Sequence, residues 1–503
     1  MSDSTRQPIR SVLIANRGEI AVRVTKTCRA MGLETIAVYS EADASALHVR
    51  EADRAILIGK APSLESYLCI DRILDAAKET GADAIHPGYG FLSQNGDFAD
   101  ACSVAGIRFI GPPGDVHRLM GDKKAARQQV QRFGVPVVPG YDGDDQRDAT
   151  FTSEASRIGF PVIIKPAHGG GGKGMHVTHN AAEFAAILPR ARRESQSGFG
   201  SDILVLERFV HKPRHVEVQV LFDTHGNGVH LFERECSVQR RHQKVLEETP
   251  SLALTPALRQ QLCAAGVAAA AAANYVNAGT VEFLLDPSGE FFFLEMNTRL
   301  QVEHPVTEMT LGLDLIRLQI EVADGKPLPF TQGQLTPRGH AIEARLNAED
   351  PRRGDAPSPG RILHFEEPRG PFVRCDTGVA TGSVVSEHYD PMIAKIIASG
   401  PTREAARASL IAAVRDTVVL GIATNREKLI QILASEEFSS GRIHTGVLDE
   451  IGPLLEEEPA SAEDLALIVA ALQSGAPSAL PSAAGRARAT HEPWASTNGW
   501  RLS

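Results

Sequence analysis

Val162-Ile163-Ile164-Lys165-Pro166-Ala167-His168-Gly169-Gly170-Gly171-Gly172-Lys173-Gly174 sets a run of glycines directly behind a strand pattern that ends in lysine. Without Cβ atoms, consecutive glycines reach the positive φ values at which backbone N–H groups converge on one anion. Lys165 and Lys173 add charge at either end. The competing interpretation is a flexible solvent loop; lysines bracketing the glycines favour phosphate. The spacing is not GxxxxGK[ST], which argues against a P-loop kinase.

On the N-terminal side, Ser11–Ala15 reads as a buried strand, Asn16-Arg17-Gly18-Glu19 as a turn, and Ile20–Met31 as a helix ended by Gly32. Thr35–Tyr39 and Ala55–Ile58 continue a βαβ alternation, hence an open parallel sheet. The first turn holds one glycine and not GxGxxG, so a dinucleotide fold is the weaker reading. This unit closes near Phe109-Ile110-Gly111-Pro112-Pro113. On the C-terminal side, Leu204–Glu207, Val216–Phe222 and Val229–Glu235 alternate apolar and polar residues, as a one-sided antiparallel sheet does. An Ala-rich helical run, Pro256–Asn274, follows, and a third unit from Gly339 to Leu448 reads as short strands with one or two helices. From Leu455 the chain turns acidic and then rich in Ala, Pro and Ser, a linker composition. The expected division is 1–112, 113–330, 331–450 and 451–503.

The 503 residues are too many for one ordinary domain, and 43% hydrophobic content supports sizeable cores. A formal charge of −10 argues against nucleic acid or an anionic membrane as the main partner. Six dispersed cysteines without a CxxC suggest neither a zinc site nor a disulfide framework, and point to reduced thiols in the cytoplasm. The first ten residues lack an apolar signal core.

Three further segments bear chemistry. Thr280–Asp286 and Phe291–Asn297 flank Pro287-Ser288-Gly289-Glu290 as a hairpin. Pairing centred on Ser288/Gly289 sets Glu282 opposite Glu295 on one face, where two carboxylates repel unless a cation lies between them. Asn297 offers a further oxygen; the alternative is two solvated glutamates. Next, Arg299, Gln301 and Glu303 would share a face if extended. A guanidinium fork, an amide and a carboxylate suit a small oxyacid such as bicarbonate, and the alternative is a loop tied by an Arg299–Glu303 salt bridge. Finally, Glu233-Arg-Glu-Cys-Ser-Val-Gln-Arg-Arg-His-Gln-Lys244 is densely basic for an acidic chain. It is either a solvated turn or a phosphate or carbonate site.

Taken together, IANRGEIAVR (14–23), HPGYGFLS (86–93), LMGDK (119–123), GGGGKGM (169–175), RHVEVQV (214–220), ERECSVQRRHQKVLEE (233–248), FLEMNTRLQVEHPVTE (293–308) and GHAIEARLNAEDP (339–351) resemble the biotin carboxylase family. The resemblance runs in family order from about residue 11 to 448. It implies an open parallel αβ domain, an ATP-grasp domain whose glycine loop belongs to a lid at about 137–210, and a C-terminal mixed β/α domain. It also implies ATP- and bicarbonate-dependent carboxylation of biotin through carboxyphosphate. By the same resemblance Lys123, Lys165, His215 and Gly169, Gly170, Gly171 and Gly172 would hold the ATP phosphates. Met175, Glu207, Arg208, Phe209, Val210 and Leu284 would line the adenine end, with Gln239 and His242 beside the nucleotide. Glu282, Glu295 and Asn297 would hold Mg²⁺ or Mn²⁺. Arg299, Gln301 and the Val302 backbone would position bicarbonate, Glu303 would take its proton, and Lys244 with His242 would steady carboxyphosphate. Arg345 would act on biotin, with Arg23 and Asp390 building that pocket.

No Met-Lys-Met attachment signature occurs, so biotin is expected on a carrier protein or domain, with a carboxyltransferase as a further partner. PGYDGDDQ (139–146) and the closing GWRLS resemble α chains of acyl-CoA carboxylases of the methylcrotonyl or geranyl type, and suggest a truncated α chain. Relatives that dimerise carry an Arg–Glu ion-pair set along the first helix; Ala30 removes half of it, which weakens the expectation of a homodimer. A different ATP-grasp ligase would lack RLQVEHP and EARLNAEDP, and a non-catalytic nucleotide-binding subunit would have no use for Arg299 and Glu303.

Overall fold

A computed structural model describes residues 7–168, 174–241 and 243–452. Five parallel strands form the N-terminal sheet in the order Arg54–Gly59, Glu34–Ser40, Ser11–Ile14, Ala84–His86, Arg108–Phe109. Apolar clusters cover both faces, one around Val12, Ile14 and Val24, the other around Leu13, Ile36 and Val38. This explains the near-continuous apolar runs of these strands. The turn into the first helix, Gly18–Ala30, needs φ +66° at Gly18, a left-handed value open to glycine without strain.

The central sheet has eight strands, ordered Phe291–Asn297, Asn277–Leu285, Arg214–Phe222, Gly228–Arg240, Gln243–Thr249, His340–Asn347, Met392–Gly400, Val373–Thr377. It continues without a break across the expected boundary at 330/331, because Gln243–Thr249 pairs antiparallel with His340–Asn347. The expectation of a one-sided sheet is corrected here. In Arg214–Phe222 every residue after the first is buried, and Glu217 and Gln219 are fully so. The polar half of the alternation does not face water; it faces a buried network of charges.

Gly140–Tyr141, Leu204–Arg208, Val162–Pro166 and His176–Thr178 make a separate four-stranded sheet. Helices Asp148–Ile158 and Ala181–Phe199 pack on it around their own core of Phe151, Ile164, Phe184 and Leu206. The third unit holds four helices after residue 400, Arg403–Asp416, Arg426–Ala434, Glu436–Ser439 and Val447–Ile451, where one or two were expected. Its short helices give too few turns for a periodic signal. The expected linker from 451 on falls almost wholly outside the described residues.

Candidate active site

The hairpin pairs Glu282 with Glu295 as expected, although Phe283–Leu285 pair with Phe291–Phe293 about Ser288 and not Ser288/Gly289; a bulge between Glu282 and Phe283 supplies the one-residue shift. Glu282 is also opposite Glu217, and Glu217 opposite Arg234, on the next two strands. A row Glu295–Glu282–Glu217–Arg234 therefore crosses four strands on one face. Three like charges in a row would be strongly unfavourable alone. Two cations offset them. Arg234, fully buried, donates to Glu217 Oε1 at 2.6 Å. Lys244 Nζ reaches Glu217 Oε2 at 2.6 Å, Glu282 Oε1 at 2.9 Å and Glu303 Oε1 at 2.6 Å.

Two cavities lie on either side of this row. One, of ≈ 500 Å³, is lined by Lys123, Lys165, Met175, Glu207, Arg208, Phe209, Val210, His215, Gln239 and Leu284, all named from the sequence as nucleotide residues. Glu207 pairs with Lys165 and with Arg127 at 3.2 Å. Burial pushes its carboxyl up, but Lys165 and Arg127 outweigh it and hold the carboxyl below its ordinary value. Gly169 to Gly172 and His242 lie outside the described residues. Arg127, which also lines this cavity, escaped the sequence reading because a lone arginine in an amphipathic helix carries no motif.

The second cavity, of ≈ 660 Å³, is lined by Lys244, Asn297, Arg299, Gln301, Val302, Arg345 and Asp390, with Arg17, Glu19 and Tyr89 from the N-terminal unit. His215, Glu282 and Glu295 border both cavities and so form the wall between them. Arg23, expected to help build this pocket with Asp390, is not among the residues that line it. Its guanidinium is buried against Glu308 and Asp314, each at 3.0 Å.

Residues 298–303 are not extended but turn into the helix His304–Leu311. Arg299 donates to Gln301 Oε1 at 2.7 Å and to Asn297 Oδ1 at 3.2 Å. The ion pairs of Glu303 are with Lys244 and, at 2.9 Å, Arg345. The short-range Arg299–Glu303 bridge considered from spacing is thus replaced by longer-range partners. Burial would raise the Glu303 carboxyl, yet Lys244, Arg345 and Arg234 hold it well below the ordinary carboxylate range. Glu303 itself is fully buried behind Lys244 and Arg345.

The donor set of Glu282, Glu295 and Asn297 fits a hard divalent cation: carboxylate oxygens converge from facing strands, with an amide oxygen adjacent. Glu282 already accepts from Lys244, Asn297 and Gln301, so a cation there would take over part of that charge neutralisation. His215, Glu217 and Glu282 also bring ligand atoms within 4.8 Å of one another. The Lys244 ammonium joins two of these, so this group is better read as an ion-pair cluster.

Residues 8–116 match the model of the biotin carboxylase N-terminal domain, 122–331 that of the carbamoyl-phosphate synthase L chain ATP-binding domain, and 343–450 that of the biotin carboxylase C-terminal domain. The mitochondrial methylcrotonoyl-CoA carboxylase subunit alpha of Glycine max is 50% identical over 447 residues, covering 89% of this chain and 61% of its own length. The chain thus spans under two thirds of that relative. The chloroplastic biotin carboxylase of Arabidopsis thaliana is 50% identical over 439 residues, 87% of this chain and 81% of its own. The biotin carboxylase domain dimer of Hydrogenobacter thermophilus 2-oxoglutarate carboxylase, solved with MgADP, ADP and bicarbonate, superposes with a TM-score of 0.86 at 42% identity, covering 90% of this chain and 100% of that one. The biotin carboxylase of Campylobacter jejuni, solved as a β-γ-ATP complex, gives 0.85 at 43%, covering 88% and 99%. With its N-terminal, ATP-binding and C-terminal parts matched in order, the chain belongs to the biotin carboxylase family.

Proposed function

We propose that the chain binds ATP in the first cavity and, in the second, makes carboxyphosphate from bicarbonate, whose carboxyl group then passes to a ureido nitrogen of biotin as the phosphate leaves and takes up the nitrogen's proton. The observation that carries this is the shared ammonium of Lys244, which links the base, Glu303, to the wall between nucleotide and acceptor. Arg299, Gln301 and Val302 would orient bicarbonate. Glu303 would accept its proton, so that the freed oxygen attacks the γ-phosphorus and ADP leaves. Phosphoryl transfer demands positioning and charge stabilisation above all, and the lysines and His215 supply both. Burial disfavours the His215 imidazolium, but Glu282 outweighs it and favours the charged ring facing the phosphates. Mg²⁺ or Mn²⁺ on Glu282, Glu295 and Asn297 would neutralise phosphate charge. Lys244 and Arg345 would then hold the carboxyphosphate, and Arg345 and Asp390 would receive biotin.

Biotin would arrive on a carrier protein or domain, and a carboxyltransferase would pass the carboxyl to an acyl-CoA, in keeping with the methylcrotonoyl relatives. A homodimer is in keeping with the solved dimer. Of the units divided at 112, 330 and 450, the first has its own sheet, and the second and third share the central one. No described helix is long and apolar enough to cross a membrane. We place the protein in the cytoplasm on its dispersed cysteines; the two plant relatives named above are organellar, so cell fractionation is the test. The activity is tested by ADP release with free biotin: it should require both bicarbonate and biotin. Release independent of both would refute the proposal.

A further inference from the structure

Lys395 is fully buried, although lysine is almost never so unless paired. It stands directly opposite Arg345 on one neighbouring strand and opposite Asp376 on the other. Residues directly opposite on adjacent strands share a face, so Arg345, Lys395 and Asp376 form a second charged row. Its members grip the same loop at two points. Arg345 holds the Glu303 carboxylate at 2.9 Å, while Lys395 Nζ donates to the Val302 carbonyl at 2.9 Å. That carbonyl belongs to the planar peptide joining Val302 to Glu303, so fixing it fixes the direction in which Glu303 departs.

The ammonium is anchored in turn. Glu19 Oε1 lies 3.2 Å away and Asp376 Oδ2 3.8 Å away, and the Tyr89 ring centroid is at 6.0 Å. Glu19 opens the first helix of the N-terminal unit and, with Tyr89 and Val302, lines the second cavity. One buried cation thus ties the bicarbonate loop to an N-terminal wall of the acceptor cavity. His304, next along the loop, cannot substitute: burial first, then Lys395, Arg23 and Arg374, keep it neutral.

We propose that Lys395 is a positioning residue for bicarbonate, holding the Val302–Glu303 peptide in register with Arg299 and Gln301. It touches no reacting atom. This rests on the biotin carboxylase reading given above.

The test is steady-state ADP release by the full chain, with bicarbonate and ATP varied separately. Lys395→Met keeps the stem and loses the ammonium; it should raise the bicarbonate KM about tenfold or more and lower kcat, with the ATP KM within about twofold. Lys395→Arg restores a cationic donor and should recover at least about a third of the lost kcat/KM for bicarbonate. A purely structural lysine would instead affect both substrates alike, or neither per folded molecule. If Lys395→Met does not fold, Lys395→Gln takes its place with the same expected split. Glu303→Gln is the control. If it is inactive while the folded Lys395 variants keep the wild-type bicarbonate KM, the positioning role is overturned and the reading stands. If Glu303→Gln turns over normally, both fall.

Discussion

Lys244 Nζ lies 2.6 Å from Glu303 Oε1, closer than Arg345 at 2.9 Å from the other oxygen. With Arg345 on the other oxygen, it keeps Glu303 ionised and therefore able to accept a proton. Glu303→Gln preserves shape but cannot accept that proton. Bicarbonate-dependent ADP release should fall about 10²- to 10⁴-fold while ATP still binds. Arg299→Ala should raise the bicarbonate requirement as well as lower the rate. Nucleotide affinity and melting temperature measured beside turnover check both. A folded Glu303→Gln with normal turnover would remove the base from this position.

The two carboxylates of the wall should separate on mutation. Glu295 is partly exposed and paired with Lys123 at 3.4 Å, whereas Glu282 is buried and accepts from three side chains on one oxygen. Both Glu295→Gln and Glu282→Gln should weaken Mg-ATP turnover by orders of magnitude, since each deletes a charged metal oxygen. Only Glu282→Gln should also lose stability, by about 1–3 kcal/mol, because the buried Lys244 and His215 lose their counter-charge and an amide N–H replaces one acceptor oxygen. Titrating activity against Mg²⁺ and unfolding each variant in urea distinguishes them; full activity of either at limiting Mg²⁺ would end the assignment.

The segment Gly140–Arg208 has its own sheet and core, so it can move as a body on the central sheet. Closure over the nucleotide would exclude water from carboxyphosphate. Its amides should gain protection from hydrogen exchange when ATP binds, relative to those of the central sheet. Equal protection with and without ATP argues against closure.

What the sequence disclosed and what it hid divide on physical grounds. The Glu282–Glu295 pairing was within reach because a hairpin is local, but turn arithmetic alone does not give it: the strands pair about Ser288, and a bulge between Glu282 and Phe283 brings Glu282 opposite Glu295. The parallel N-terminal sheet was legible because its strands are apolar on both faces. Glu217 and Arg234 were missed as a pair because alternation looks the same whether the polar side meets water or other charges. Their partners lie on strands distant in sequence. For the same reason a nearby Arg299 was considered for Glu303 when the ion pairs come from Lys244 and Arg345, 59 and 42 residues away.

Asp376 gives a pH-dependent signature. Burial would raise its carboxyl, but Arg374 and Lys395 outweigh that and hold it far below its ordinary value. A depressed folded value contributes stability above the unfolded value near 4, which is lost as pH falls through the folded one. Asp376→Asn should therefore be about 3–5 kcal/mol less stable at pH 7. The gap to wild type should narrow steadily below about pH 4. Urea unfolding of both proteins across that range measures it; a gap independent of pH would show that the charge of Asp376 is not what matters.

Arg23 supplies the sharpest contrast between sequence resemblance and structure. Its guanidinium is enclosed by Glu308, Asp314 and Thr27, and Glu308 is shared with Arg374 at 2.7 Å. Arg345, by comparison, lines the second cavity and holds the Glu303 carboxylate. Arg23→Gln should remove one of the two arginines that neutralise the buried Glu308 and cost about 3–5 kcal/mol of stability. Its KM for free biotin, measured at a temperature where it stays folded, should remain within about twofold of wild type. Arg345→Gln should do the reverse, slowing biotin-dependent turnover by far more than its stability loss explains, because its charge acts at the reacting groups. A biotin KM raised in folded Arg23→Gln would return that arginine to the acceptor site.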